Sequence, residues 1–327
     1  MNDAAPVIPQ RDVALEPLIT LNAPLVSVVL TTYTLERLRD VFDALRSLRS
    51  QTYDNIEIIF VGEGSLSISS SVEEEAQRLG MSNVLCLFND GPAGLSEARN
   101  VAIPRARGQI IAFLDDDSVA FSDWAESLVR AFAETDAIGV SGTALPQWDS
   151  PSMAWLPEEF YWLISCTAWT GWQDRCQVRS AWGMNMAFRR EAFDLAGLFS
   201  TEAGYQRQIA EDLEFSLRAK AVTGRSIIFE PTARVYHKVH GYRFSWRFVA
   251  ARSQLIGRSR RLMRNLYVEQ HAEYHLEAAL MKRIGQLMIR TMRESLRSPS
   301  DAARTAALIA VCLSSAAYGY VRPGRVR

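Results

Sequence analysis

The sequence predicts an α/β fold: a doubly wound, mostly parallel sheet with a C-terminal helical appendage. Three observations predict it. Short β-branched runs recur through the first half of the chain and alternate with helix-length segments of helical period. The connections between them are short, as crossover units in a parallel sheet allow. Beyond residue 243 the alternation stops and helical periodicity continues.

Taken in order, Val26–Leu30 is the first strand, a β-branched run with the character of a buried parallel strand. Leu35–Leu48 follows as a helix, with Leu38, Val41, Phe42, Leu45 and Leu48 at steps of three and four. Ile56–Val61, Val84–Phe88 and Ile110–Leu114 read as the next strands, separated by helices at Val72–Leu79 and Gly94–Ile103. Ser122 or Asp123 caps a helix ending near Ala133, and Ile138–Ser141 is a further strand. After Leu145 the pattern breaks into a Trp-rich, irregular stretch. Met184–Phe188, Ser226–Glu230 and Thr232–Tyr236 then read as strands, and Glu211–Ala221 as a helix.

The chain has 327 residues, 48% of them apolar, enough for one large domain with appendages. Its four cysteines, Cys86, Cys166, Cys176 and Cys312, have no close paired spacing, which argues against a zinc site or a disulfide framework. Met1–Ala23 carries Asp3, Glu16 and prolines, lacks a signal-peptide pattern and is expected to be a leader. The net charge of -1 hides a split. Residues 1–240 carry 20 Lys+Arg against 32 Asp+Glu, and residues 241–327 carry 16 against 5. An acidic body and a basic appendage facing something anionic are expected.

The strongest local signal is Phe113-Leu-Asp-Asp-Asp-Ser118, a carboxylate triplet at the end of an apolar strand. That end of an open parallel sheet faces the ligand crevice. Adjacent carboxylates repel, and a divalent cation at Asp115 and Asp117 relieves the repulsion and can bridge to a diphosphate. Alone, such a triplet is as often a solvated turn. In Ala210-Glu-Asp-Leu-Glu-Phe-Ser-Leu-Arg218, Glu211 and Asp212 stand in the first turn of a helix while Leu213 and Leu217 face inward. One of these acids can serve as general base, although position alone reads as an ordinary helix start. Gly94-Leu-Ser-Glu-Ala-Arg-Asn100 offers a Gly-led helix start whose Arg99 and Asn100 can meet a donor phosphate or sugar. The plainer reading is an amphipathic helix with Leu95, Ala98 and Val101 inward.

These motifs, with Val26–Tyr33, Ser47–Tyr53, Glu57–Ser65 and Gly183-Met-Asn-Met-Ala-Phe-Arg-Arg190, occur in an order that resembles family 2 glycosyltransferases over roughly residues 25–240. Leu156–Leu163, Phe188–Phe193 and Tyr236–Val239 further resemble the branch with glucuronosyltransferases acting on glycosylated dolichyl phosphate. The resemblance implies the glycosyltransferase A fold of nucleotide-diphospho-sugar transferases, and inversion at the sugar carbon. It implies that Thr31, Thr32 and Tyr33 line the nucleotide pocket. Asp115 and Asp117 would serve ribose, diphosphate and a divalent metal (Mg2+ or Mn2+), with Asp116 beside them on the donor side. Asp212 would be the base, with Glu211 next to it, and Gly183 to Asn185 would border donor sugar and acceptor. It also favours His237 as a further metal or diphosphate ligand and leaves His240 open. The family usually has two aspartates where this chain reads Val61-Gly-Glu-Gly-Ser65, so Glu63 alone remains to meet the base of the nucleotide.

The implied division is a leader at 1–24, a catalytic domain at 25–243, basic amphipathic helices at 244–300, and an apolar helix with a basic tail at 301–327. In Trp246–Leu266, Arg247, Arg258 and Arg261 oppose Val249, Ile256 and Met263. In Leu276–Leu296, Arg283, Arg290, Arg293 and Arg297 oppose Leu276, Leu280, Ile284 and Leu287. Such helices read as membrane-surface elements. Thr305–Val321 admits three readings: a packed helix, an in-plane anchor, or a short span followed by Arg322, Arg325 and Arg327. His271 and His275, four apart, read as surface residues. The expected partners are a UDP- or GDP-type sugar donor, a lipid-linked or polysaccharide acceptor and a membrane surface, with no nucleic acid. The expected location is cytoplasmic, peripheral on the cytoplasmic membrane face. The competing class is a non-catalytic nucleotide-sugar or glycan-binding module. A nucleotidyltransferase is disfavoured because Thr31–Leu35 holds no glycine, and a dehydrogenase because no G-x-G-x-x-G follows a strand.

Overall fold

The computed structural model describes residues 23–201, 211–266 and 275–322. Most of the expected leader, His271 and the tail residues Arg325 and Arg327 lie outside the described residues, as does the side chain of His275.

Strand β1 (Val26–Thr32) is buried on both faces, which suits its unbroken apolar run. It pairs in parallel with β2 (Ile56–Gly62) on one side and β4 (Ile110–Asp115) on the other, and β2 pairs in parallel with β3 (Val84–Phe88). Because side chains alternate along a strand, β1 feeds two separate cores. Val28 and Leu30 pack with Val41 and Leu45 of α1 (Leu38–Arg49), Val72 of α2 (Leu66–Arg78), and Trp124 and Phe132 of α4 (Trp124–Glu134). Val29 packs on the opposite face with Ala98 and Ala102 of α3 (Leu95–Ala102). Helices on both faces make the sheet doubly wound, as expected.

The second half departs from a simple parallel continuation. After β5 (Ser118–Ala120) and β6 (Gly139–Trp148) come β7 (Cys176–Val178), β8 (Asn185–Arg189) and β9 (Ile227–Val239). The strand order is β3-β2-β1-β4-β8-β6-β9-β5, with β7 pairing β9. β8 runs antiparallel between β4 and β6, so the sheet is mixed here. Helices α5 (Arg190–Ala196) and α6 (Glu211–Thr223) cover this part through Phe193 and Phe215, whose rings stack at 4.6 Å.

β9 merges the two strands expected at 226–230 and 232–236. Its register against β6 jumps from Gly142↔Glu230 to Thr143↔Arg234, so residues 231–233 bulge out. Pro231, which lacks an N–H, stands in that bulge. Before the bulge β9 pairs β7; after it, Ser118 of β5 pairs His237. β6 runs on to Trp148 rather than stopping at Ser141, because the far half of β9 gives it a partner. α2 starts at Leu66, ahead of the expected Val72, where Ser65 Oγ accepts from Ser67 N at 3.3 Å.

The C-terminal helices α7 (Trp246–Leu266), α8 (His275–Glu294) and α9 (Pro299–Val321) pack on the irregular stretch after β6. They share a third core in which Phe160, Leu163, Val249, Ile284, Leu287 and Leu308 meet. α7 and α9 cross at very close range. A Cβ on Gly257 would fall 2.0 Å from Ala316 O, and one on Gly319 2.1 Å from Gln254 O. Several arginines expected to face outward fasten the helices instead. Arg261 Nη1 donates to Tyr320 O at 3.0 Å and Val321 O at 2.8 Å, satisfying carbonyls at the end of α9. Arg283 Nη1 donates to Trp169 O at 2.7 Å. Met288, Ile289 and Met292 remain exposed on α8, with Leu296 just past its end, beside exposed Arg293 and Arg297. Pro299–Val321 is long and apolar enough to cross a membrane by length and composition, and 28% of its most apolar window is buried.

Candidate active site

The carboxyl ends of β1, β2 and β4 open into a cavity of about 1100 Å³. Its floor is the end of β4 and the turn after it. Asp115 is the last residue of β4, beside Thr31 of β1. Asp116 accepts a short hydrogen bond from Thr32 Oγ1 and meets Arg37 Nη1 at 3.3 Å, so it points toward β1. Asp117 turns the other way. Its Oδ1 lies 3.1 Å from His237 Nε2, and its Oδ2 accepts from Arg37 Nη1 and Arg243 Nη2, both at 2.8 Å. The bulge in β9 brings this about by setting His237 opposite Ser118.

Ligand atoms of Asp115, Asp117 and His237 all lie within 4.8 Å of one another. The 3.1 Å between Asp117 and His237 matches the separation of two donors at right angles around an ion at about 2.1 Å. Two carboxylates and an imidazole are a donor set that divalent cations take, so the residues fit such an ion. The electrostatics are uneven. Burial pushes the Asp117 carboxyl up, but His237, Arg243 and Arg37 outweigh it and hold the group below the usual range. Asp116 is pushed up to about 7 by burial and then by Asp117. Burial also raises Asp115, against the pull of Arg99.

Arg99 joins this cluster to α6. Its guanidinium is 3.3 Å from Asp115 Oδ1, Glu211 Oε1 and Gly183 O, between the rings of Phe113 and Phe199. It is buried on the inner face of α3, whereas Leu95, expected inward, is exposed. Asn100, the other candidate there, clamps Phe199 through both backbone groups and does not line the cavity. Asp212 is held by two backbone donors: Gly183 N to Oδ2 at 2.9 Å and Leu213 N to Oδ1 at 2.7 Å. Burial raises the pKa of both Asp212 and Glu211. A Cβ on Gly183 would crowd Arg99 Nη2 at 3.0 Å and touch Asp212 Oδ2 at 3.6 Å, so a side chain here would press on the guanidinium that joins the two acidic groups.

Thr31, Thr32, Tyr33, Glu63, Arg99, Asp115, Asp116, Asp117, Gly183, Glu211, Asp212 and His237 all line the one cavity. Glu63 Oε1 accepts from Asn89 Nδ2 at 2.7 Å and Gly94 N at 3.0 Å, which ties the following loop to the end of β2. Asn185, expected beside the donor, does not line the cavity. It is fully buried, accepts from Trp124 Nε1 at 2.8 Å and donates to Thr143 O and Ala233 O at 3.0 and 2.8 Å. Its amide is spent on holding β8 to its neighbours. His240 also lies away from the cavity, between Asp40 and Asp149.

Sequence reasoning missed the basic wall. Arg37, Arg243, Arg252 and Arg260 line the cavity from one helix entry, one turn and α7. Isolated arginines carry no spacing signature, so only the fold reveals them. Of the tryptophans in the irregular stretch, Trp162, Trp169 and Trp172 line the cavity, joined by Trp182, which stacks on Trp172 at 5.5 Å. Trp148 and Trp155 instead pack against Phe244.

A family profile described as Glycosyl transferase family 2 matches residues 27–196. The glucosyl-dolichyl phosphate glucuronosyltransferase of Haloferax volcanii is 30% identical over 299 residues, covering 90% of this chain and 94% of that protein. The putative glycosyltransferase EpsH of Bacillus subtilis is 27% identical over 235 residues, 67% of this chain and 62% of its own. Among solved structures, the mannosyltransferase PcManGT from Pyrobaculum calidifontis, in complex with GDP-Man and Mn2+, aligns with a TM-score of 0.63 at 18% identity, over 93% of this chain and 89% of that one. GalNAc-T7 with UDP, GalNAc and Mn2+ aligns with a TM-score of 0.51 at 18% identity, over 73% of this chain and 48% of that one. The likeness is one of fold: the mostly parallel sheet with its helices is the glycosyltransferase A type.

Proposed function

The chain belongs to glycosyl transferase family 2 and is a glycosyltransferase, and from that premise we propose that it moves a sugar, with inversion, from a UDP- or GDP-type donor to a hydroxyl of a lipid-linked or glycan acceptor. The observation that carries the reading is that the Asp115–Asp117–His237 cluster and Asp212 face one cavity, joined by Arg99.

In this reading Asp115, Asp117 and His237 hold a divalent cation, which when bound neutralises charge on the departing diphosphate. The chain's own residues do the rest. Arg37 and Arg243 keep Asp117 ionised and leave positive charge along the wall beside it. Gly183 N–H and Leu213 N–H fix both oxygens of Asp212, so the base is positioned before substrate arrives. The buried setting raises the basicity of Asp212, and it takes the proton from the acceptor hydroxyl as that oxygen attacks the sugar. Attack from the Asp212 side on a bond breaking toward Asp117 gives inversion. Glu211 is held by Arg99 beside the base and steadies α6.

Residues 25–243 then form the catalytic domain, and the helical segments 244–300 and 301–327 supply the acceptor side. Exposed Met288, Ile289, Met292 and Leu296, flanked by Arg293 and Arg297, support a peripheral seat on an anionic, cytoplasmic membrane face. The test is a panel of UDP- and GDP-sugars with Mn2+ and a lipid-linked glucoside, with the product anomer read by NMR. Inverted product, lost on chelation, is expected; retention of configuration would overturn the role of Asp212.

A further inference from the structure

Arg252 stands on the cavity-facing stripe of α7, with Ile256 one turn and Arg260 two turns further on. Its Nη2 donates to Ser165 Oγ at 3.0 Å, while its Nε is buried without a hydrogen-bond partner. A buried guanidinium nitrogen left unpaired carries a cost, so the charge of Arg252 is under-compensated within the protein. No carboxylate is in salt-bridge contact with it among the described residues, unlike Arg37, Arg99 and Arg243. Burial, and then repulsion from Arg243, push its pKa down, with Asp212 and Glu211 pulling the other way. The guanidinium therefore sits within electrostatic reach of the base.

Beyond Arg252 the cavity wall is largely aliphatic, interrupted by Ser259 and Arg260 of α7. Ile256, Leu280, Met281, Ile284, Leu313 and Ala316, from α7, α8 and α9, line this end. A cation at the inner end of an apolar groove matches a molecule with an anionic head and an aliphatic tail. A nucleotide has no use for that groove, and a free glycan has no tail to fill it.

We propose that Arg252 binds the phosphate of a lipid-phosphate-linked acceptor whose hydrocarbon lies between α7, α8 and α9. The inference rests on the transferase reading and narrows its acceptor. The phosphate meets the guanidinium of Arg252 from the cavity side, the sugar it carries reaches Asp212, and the chain leaves along the groove toward the exposed side of α8.

The test uses the full chain and isothermal titration with farnesyl phosphate, farnesol, inorganic phosphate and, separately, UDP or GDP with Mn2+. Farnesyl phosphate is expected to bind about tenfold or more tighter than farnesol, as one charge-assisted contact gives. Arg252→Met, which keeps the bulk of the side chain, should remove that advantage and leave farnesol and nucleotide binding unchanged. Arg252→Lys should restore part of it, and Leu313→Gln should weaken both farnesyl ligands. Equal binding of farnesyl phosphate by wild type and Arg252→Met overturns the proposal. So does a loss confined to nucleotide binding, which puts Arg252 on the donor, or inorganic phosphate binding as well as farnesyl phosphate. Because titration needs no turnover, a protein that binds farnesyl phosphate through Arg252 yet transfers nothing would refute the transferase mechanism and not this site. Transfer to a lipid-free glycan, with farnesyl phosphate ignored, would do the reverse.

Discussion

The two ends of the cavity are built on opposite principles. At the sheet end the charged groups are satisfied by one another: Asp117 by Arg37, Arg243 and His237, Asp115 and Glu211 by Arg99, and Asp212 by two backbone N–H groups. At the helix end the wall is mostly aliphatic, with Ser259 and Arg260 among it, and Arg252 keeps an unpaired nitrogen. The first end is preorganised for charge that appears during reaction, by strand ends and by the helices and turns braced against them. The second is held by helix contacts whose spacing depends on glycines. Chemistry and acceptor recognition should therefore fail separately when either end is altered.

The largest expected effect is at the base. Asp212→Asn should lower kcat by about 10³-fold, within the range for a general base, while donor affinity measured by titration stays within about threefold of wild type. A matching loss of donor affinity would mean that the two ends are not separable at this residue. Next is Asp117→Ala, which strands Arg37, Arg243 and His237 around a missing counter-charge. It should cost about 3–5 kcal/mol of stability by denaturant unfolding and abolish Mn2+-dependent donor binding. Gly257→Val tests the helix end. Its added carbons meet Ala316 O, so α7 and α9 must part, at about 1–3 kcal/mol. Transfer to a lipid-linked acceptor should fall while metal-dependent donor hydrolysis persists. Asn185→Ala should cost about 1–3 kcal/mol by leaving Trp124 Nε1 and two carbonyls unpaired. The KM for donor should not move, since the amide lies outside the cavity. The smallest effect belongs to Arg293→Gln with Arg297→Gln, which should weaken sedimentation with anionic vesicles by about 2 kcal/mol at most without changing turnover of a soluble acceptor.

The legible parts of the chain were those whose signal is local. The β-branched runs of β1, β2 and β4 declared buried strands, and an acidic triplet at a strand end declared a ligand-facing turn. What escaped was set by partners distant in sequence. A buried amide that ties strands together reads the same as one that meets a ligand, so Asn185 was assigned to the site. Arg37, Arg243 and Arg252 come from a helix entry, a turn and a long helix, and only the crossing of β9 with β5 and the docking of α7 gather them. The basic stripes on α7 and α8 read as membrane-surface elements, yet Arg261 and Arg283 donate to backbone carbonyls. Hydrophobic period tells which face is apolar and says nothing about which cations are spent on packing.

The insertion at 231–233 in β9 also makes length itself a determinant of the site. With the pairing before the loop fixed, deleting a single residue there would draw the downstream strand back by one, turning His237 to the far side of the sheet and setting Lys238 opposite Ser118. Removing two would return His237 to its own face but two places away from Ser118, with Val239 in its stead. Viable variants of this loop should therefore keep its length, a counting rule imposed on the sequence by a ligand several residues away.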